Sequence, residues 1–307
     1  MAKSDESQCL FVSSRGILKS CDLHSKHPSS SSPYDIQHLQ KLINTTNQHD
    51  NMIIYVCSEA LGYFVTAIMQ YIEVPFYLVS GDSDMAAPNE CLTAHQQEML
   101  FKNPLLIRWA GQNMMHKPHP KMMQIPIGLD YHTLVADPTY HWAVAGEDTS
   151  SIGQDITLQT IRANAPTFKD RICKVYTNAH HRLDRYGDRL AAISQIPSDL
   201  LIKEPALIPR SEVWHNYANY AFVASPFGNG IDCHRTWEAL CCGAIPIIHG
   251  QFLTDLFDDL PVLRVKMWSD VTPELLEKTI DDFSNRTFNY EKLTLKYWID
   301  QIKAPLS

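Results

Sequence analysis

The sequence predicts an α/β chain built from two successive parallel-sheet units. Three observations carry this. The 307 residues suffice for two domains of ordinary size. Short apolar runs recur along the chain with helical patterns between them. That alternation weakens once, near the middle, and then restarts. Hydrophobic residues make up 45% and charged residues 20%, the balance of a globular protein.

In the first half the runs are CLFVSS (9–14), NMIIYVCS (51–58), PFYLVSG (75–81), PLLIRWA (104–110) and MQIPIGL (123–129). Each reads as a strand. Helical patterns fit 34–47 and 59–71, and SKHPSSSSP (25–33) is a loop by composition. Between 134 and 169 Gly, Ser, Asp and Pro are scattered, so the expected boundary divides 1–150 from 151–307. The second half restarts with RICKVYTN (171–178), a helix through Arg189, LLIKEPALI (200–208), YAFVASP (220–226), AIPIIHG (244–250) and PVLRVK (261–266). From Pro273 onward the chain reads as helices. Ligands of such sheets bind beyond the carboxyl ends of the strands, so the loops there are the place to look for a site.

A net charge of −8 argues against a nucleic-acid partner, whose protein surface would be basic. The N-terminal MAKSDESQCLFVSS lacks the apolar core of a secretory signal, and no stretch is long enough for a membrane span. The eight cysteines form no CxxC pair and read as buried free thiols of a reducing compartment, which makes a cytoplasmic location the expectation. The sequons at Asn44 and Asn285 carry little weight under that expectation.

The segment SPFGNGIDCHRTWEALCCGAIPIIHG (225–250) concentrates the chemistry. The strand YAFVASP leads through Ser225 into a loop in which Gly228, Asn229 and Gly230 let a ligand approach the backbone. Asp232 is the expected N-cap of a helix from His234 to Cys242, and Gly243 its stop. A helix start favours phosphate. Arg235 and Glu238, three apart, share one face of that helix. Arg chelates phosphate oxygens, and Glu accepts from the paired hydroxyls of a ribose. Diphosphate beside ribose describes a nucleotide sugar.

This segment resembles the donor-binding segment of exostosin-like glycosyltransferases, particularly the small forms of large algal viruses and some microbes. SSRGILKSCD (13–22), LVSGDSD (78–84), WAGQN with HPKMMQIPIGL (109–129) and RSEVWHNYANYAFVASP (210–226) are similar to the same group. The resemblance implies a GT-B fold: two Rossmann-like domains facing across a cleft, with the C-terminal helices packing back. The acceptor would sit on the first domain and the nucleotide-sugar donor on the second. It further implies inversion at the transferred sugar, no cofactor, no essential divalent metal, and a glycan or glycoprotein acceptor. UDP is the implied nucleotide and xylose the suggested sugar; for a viral source the site of action would be the host cytoplasm.

Further residues belong around such a site. Arg182 and Arg185, three apart, and Arg210 are candidates for the donor diphosphate, where positive charge would stabilise the leaving nucleotide. An inverting transfer needs a general base. Asp84 and Asp82 in LVSGDSD fit its place, with Glu59 next. Ser14, Arg15, Gly16 and Asn113 follow first-half strands and are acceptor candidates. Two other readings stay open. Asp82 and Asp84 form a DxD pattern that would hold a metal in a metal-dependent transferase, and a silent protein could bind nucleotide sugars or glycans without transfer. His116, His119 and His132 do not have the spacing of a compact metal site. Trp214, Tyr217 and Tyr220 read as core.

Overall fold

Two wholly parallel sheets, of four and five strands, organise the computed structural model, which describes residues 5–25, 36–117, 119–178, 185–250 and 253–305. The first sheet contains β1 (Met52–Cys57), β2 (Phe76–Gly81), β3 (Leu106–Gly111) and β4 (Met122–Gln124), in that spatial order. All six residues of β1 are buried, the pattern of a strand covered on both faces. Leu23 adds a parallel bridge to Ile54 on the outer side of β1.

The second sheet contains β5 (Ile172–Thr177), β6 (Leu201–Lys203), β7 (Tyr220–Ala224), β8 (Ile245–His249) and β9 (Leu263–Val265). Its order is β6-β5-β7-β8-β9. The chain starts at β5, moves out to β6, and returns across β5 to build β7, β8 and β9. The winding direction therefore reverses between β5 and β7. In doubly wound sheets a ligand crevice opens at that reversal, beyond the carboxyl ends of the two strands.

Most of the expected strands are present, and three differ for local reasons. The run 9–14 is not a strand. Phe11 and Ser13 make only isolated bridges, and Ser13 Oγ accepts the Gly16 N–H at 3.0 Å to start the helix Ser14–Ser20. The run 200–208 stops pairing at Lys203; two residues on, Pro205 has no N–H to donate. The run 123–129 leaves the ladder after Gln124, before Pro126 and a left-handed Gly128 (φ +65°). The region 59–71 is helical but broken into short 3-10, α and π turns.

Contacts between the halves fix their faces. Asp155, on the helix Ser151–Ala163, accepts the Leu10 and Phe11 N–H groups at 3.0 and 3.1 Å and the Tyr131 hydroxyl at 2.6 Å. The last helix, Leu295–Lys303, packs back on the first half: Arg108 donates to the carbonyls of Gln301, Ile302 and Pro305. Among the described residues no helix is long and apolar enough to cross a membrane, and all eight cysteines are free thiols.

Candidate functional site

The loop leaving β7 is built to bring its backbone against two other groups. Ser225 Oγ lies 2.7 Å from Thr236 Oγ1, tying the strand end to the first turn of the helix His234–Cys241. A Cβ on Gly228 would stand 2.7 Å from Arg189 Nη2. One on Gly230 would stand 3.0 Å from Asn113 Nδ2 and 3.2 Å from Asp84 Oδ1. Glycine here provides space rather than an unusual backbone angle. Gly243, at φ +77°, ends the helix as expected.

Asp232 is not the N-cap. Cys233 holds that position, with no side-chain cap at all. The Asp232 carboxylate is instead drawn into the protein by two donors, the Ile127 N–H at 2.7 Å and Trp237 Nε1 at 2.9 Å. Its own N–H donates to Asn113 Oδ1 at 2.8 Å. Asp232 is therefore a tie between the halves, and burial pushes its pKa up to about 6. His234 Nδ1, 2.7 Å from the Gly128 carbonyl, is a second tie.

Between the halves lies a cleft of ≈390 Å³. Arg235 and Glu238 both line it, with Gly228, Asn229 and Gly230 alongside. Arg235 is half-buried and meets only neutral acceptors, Asn178 Oδ1 and the Pro226 carbonyl, each at 3.3 Å. Glu238 is 9% exposed, and its carboxylate makes no hydrogen bond to any described residue. Its nearest cation is Arg210 Nε at 3.9 Å. A nearly buried carboxylate with unused acceptor capacity is costly unless a ligand satisfies it.

Arg210 lines the cleft but is held by protein groups. It donates to the Asp130 carbonyl, to Asp130 Oδ2 at 3.0 Å and to Gln154 Oε1 at 3.2 Å, and lies 4.7 Å from the Trp142 ring centroid. Burial works to raise the Asp130 pKa, but the positive charges of His132, Arg210 and His234 outweigh it and hold the carboxyl well below its usual range. Burial lowers His132 to about 4, so at neutral pH His132 is neutral and the Arg210 guanidinium is the charge paired with Asp130.

The other expected residues fall in several places. Asp84 is exposed and lines the cleft, with no hydrogen bond to a described residue. Asp82 takes a left-handed backbone (φ 56°), donates its N–H to Gln112 Oε1 and does not line the cleft. Glu59 is exposed on the turn after β1, also away from the cleft lining. Asn113 is fully buried as the clip described above, and also donates to the Ser83 carbonyl at 3.0 Å. Ser14 is buried with an unbonded Oγ; Arg15 and Gly16 follow it in the same helix start, and none of the three lines the cleft. Arg185 forms a two-bond pair with Glu90 of the first half, 2.5 and 3.1 Å long. Arg182 lies outside the described residues. Among those residues no group of three or more His, Cys, Asp or Glu could hold a metal ion.

The cleft also contains residues the sequence did not mark. Arg189 lines it from the helix Asp188–Gln195, whose Asp188 anchors the glycine loop by accepting the Phe227 N–H at 2.9 Å. Asn178, at the end of β5, joins Arg235 to the Tyr217 hydroxyl, which donates to it at 3.0 Å. Trp142, Leu207, Ile208 and Val213 form an apolar wall. Asn178 had a signal, since it follows a strand at a carboxyl end; Trp142 had none.

No protein-family model matches the chain, and no curated protein matches it. Solved structures with a similar course include the trehalose-6-phosphate phosphatase N-terminal domain of Candida albicans (TM-score 0.38, 10% identity, 87% of this chain and 74% of that one). Others are a GtfA/B complex (TM-score 0.35, 12% identity, 87% of this chain and 56% of that one) and AviGT4, a glycosyltransferase involved in avilamycin A biosynthesis (TM-score 0.34, 10% identity, 86% of this chain and 77% of that one). Likeness of this degree carries no statement about activity, family or source.

Proposed function

We propose that the chain is a glycosyltransferase that moves a monosaccharide from a nucleoside diphosphate to a glycan hydroxyl, with inversion at the transferred carbon. The observation that carries this reading is the pairing in one cleft of Glu238, a buried carboxylate with unused acceptor capacity, with Arg235, a guanidinium that has no carboxylate partner among the described residues. Glu238 suits the two adjacent hydroxyls of a ribose. Arg235 and Arg189 suit the diphosphate, as does a helix start without a side-chain cap. The wall of Trp142, Leu207 and Ile208 suits a nucleobase.

Transfer follows from where charge develops. As the bond from the sugar to the diphosphate breaks, negative charge grows on the leaving oxygen, and fixed cations there lower the barrier. The attacking hydroxyl must lose its proton to a base across the cleft. Asp84 suits that role, being on the first half, exposed and without a hydrogen bond to a described residue. UDP is the nucleotide that the family resemblance suggests, and a pentose such as xylose is the sugar we propose.

Calorimetric titration with UDP, GDP and a panel of their sugars, with and without EDTA, tests the reading. Metal-independent binding of one nucleotide sugar supports it and names the donor. Binding that needs a divalent ion assigns Asp82 and Asp84 to a metal instead, and no binding at all overturns the reading.

A further inference from the structure

A second cavity, of ≈710 Å³, opens beside Gly243 at the C-terminal end of the helix that carries Arg235 and Glu238. Four cationic side chains line it, Arg162, Lys169, Arg171 and Arg286; among the described residues no Asp or Glu does. In a chain of net charge −8 that local bias runs against the composition.

Two of these cations lack any formal counter-charge among the described residues. Arg171, 7% exposed, donates to the carbonyls of Pro166, Tyr217 and Cys242 at 3.0, 3.1 and 3.2 Å. Arg162 donates to the carbonyls of Leu240 and Cys241 at 2.7 and 3.2 Å, with its guanidinium 4.5 Å from the Tyr290 ring centroid. Carbonyls at a helix end offset part of a cation's desolvation but are not a full counterion. Burial, with Arg162 nearby, lowers the Arg171 pKa to about 10. Lys169 and Arg286 pair with Asp281 and Asp259 at 2.9 and 3.7 Å, acids that face solvent and do not line the cavity.

The remaining wall narrows the ligand. Phe168, Phe283 and Tyr290 supply aromatic rings, while Asn285 and Thr287 supply an amide and a hydroxyl. A few polar groups set among apolar rings orient a small ligand. Aromatic rings suit the C–H surface of a sugar, and the amide and hydroxyl suit its OH groups. The geometry points to this cavity as a second ligand site, separate from the cleft, for a saccharide that carries a phosphate or a carboxylate.

Calorimetry on the full chain tests this with glucose 6-phosphate, glucuronic acid, glucose and inorganic phosphate. Saturable binding of at least one acidic sugar is expected, with none for glucose and weaker binding of phosphate alone. The response to each acid shows which anion the site takes. The double variant Lys169→Ala/Arg286→Ala should weaken the bound acid about tenfold, the scale of a lost charge-assisted hydrogen bond. Both side chains are more than half exposed (56% and 52%), so their loss leaves the fold intact. Glu238→Ala, in the cleft, should leave this binding unchanged. Absence of binding by either acidic sugar overturns the proposal, as does affinity unaltered in the double variant. Phosphate binding as tightly as glucose 6-phosphate removes the saccharide, and loss of binding in Glu238→Ala moves the ligand to the cleft.

Discussion

The Asp232 carboxylate accepts the main-chain N–H of Ile127 at 2.7 Å, so a buried acid beside the glycine loop anchors the first half of the chain to the second. The tie is completed in the other direction by Asn113, whose Oδ1 accepts the Asp232 N–H. Both partners lie on the first half, so the end of the glycine loop is held across the cleft by a donor and an acceptor together.

That anchor titrates. Asp232 is raised from 3.8 to about 6 by burial. An acid raised on folding binds more protons in the folded state, so its contribution to stability is present in acid and lost as pH rises through the interval from about 4 to about 6. The shift corresponds to a contribution on the order of 3 kcal/mol. Asp232→Asn, which mimics the protonated form, should gain on the parent chain by up to about that amount across the interval. Urea unfolding at several pH values measures the gap, and a constant gap would mean that Asp232 does not titrate there.

Arg210 is expected to matter most for stability. Its loss would leave Asp130, 8% exposed, as a buried carboxylate without its guanidinium partner. Arg210→Met should destabilise by about 3–5 kcal/mol, the range for breaking a buried pair from one side. Arg210→Lys keeps a charge but loses the planar fork that holds Asp130 and Gln154 together, and should fall between. Chemical denaturation of the three proteins at neutral pH decides this; equal midpoints would show that the pair contributes nothing.

Glu238 behaves in the opposite sense. Buried, with its nearest cation at 3.9 Å and no hydrogen bond to a described residue, its carboxylate costs the folded state more than it contributes. Glu238→Ala should raise stability to unfolding and weaken nucleotide binding by about 1–3 kcal/mol, the scale of a hydrogen bond to a charged group. Unchanged affinity by calorimetry would remove Glu238 from the site.

The sequence disclosed the parts of this arrangement that local spacing controls. Gly243 ending a helix, and Arg235 and Glu238 on one helix face, follow from neighbours within four positions. Strand runs such as 51–58 and 220–226 were legible because apolar residues dominate them. What stayed hidden was tertiary. Asp232 carries the local signal of an N-cap, yet Ile127 and Asn113, more than a hundred positions away, captured it instead. Arg210 was readable as a cation near a strand, but its engagement by Asp130, Gln154 and Trp142 depends on partners 56 to 80 positions distant. No periodicity in the weakly patterned 134–169 region marked Trp142 as part of a cleft wall.

The assignment of Asp84 is the most direct to test, because the side chain stands free of structural duties. It is exposed, it makes no hydrogen bond to a described residue, and its Oδ1 lies 3.2 Å from where a Cβ on Gly230 would stand. Asp84→Asn keeps the shape and removes the base, so donor binding should persist while turnover falls by about 10²–10⁴-fold. Gly230→Ala supplies the complementary result. The added methyl crowds the Asn113 amide, at 3.0 and 3.1 Å, as well as Asp84 at 3.2 Å, and Asn113 is clamped by the Ser83 carbonyl and the Asp232 N–H. Both neighbours must give, so this variant should lose turnover together with stability. Transfer assays on both, once a donor is identified by binding, separate the outcomes. Full activity in Asp84→Asn excludes it as the base. Loss in Asp84→Asn with full activity in Gly230→Ala shows that the carboxylate works without its present contact.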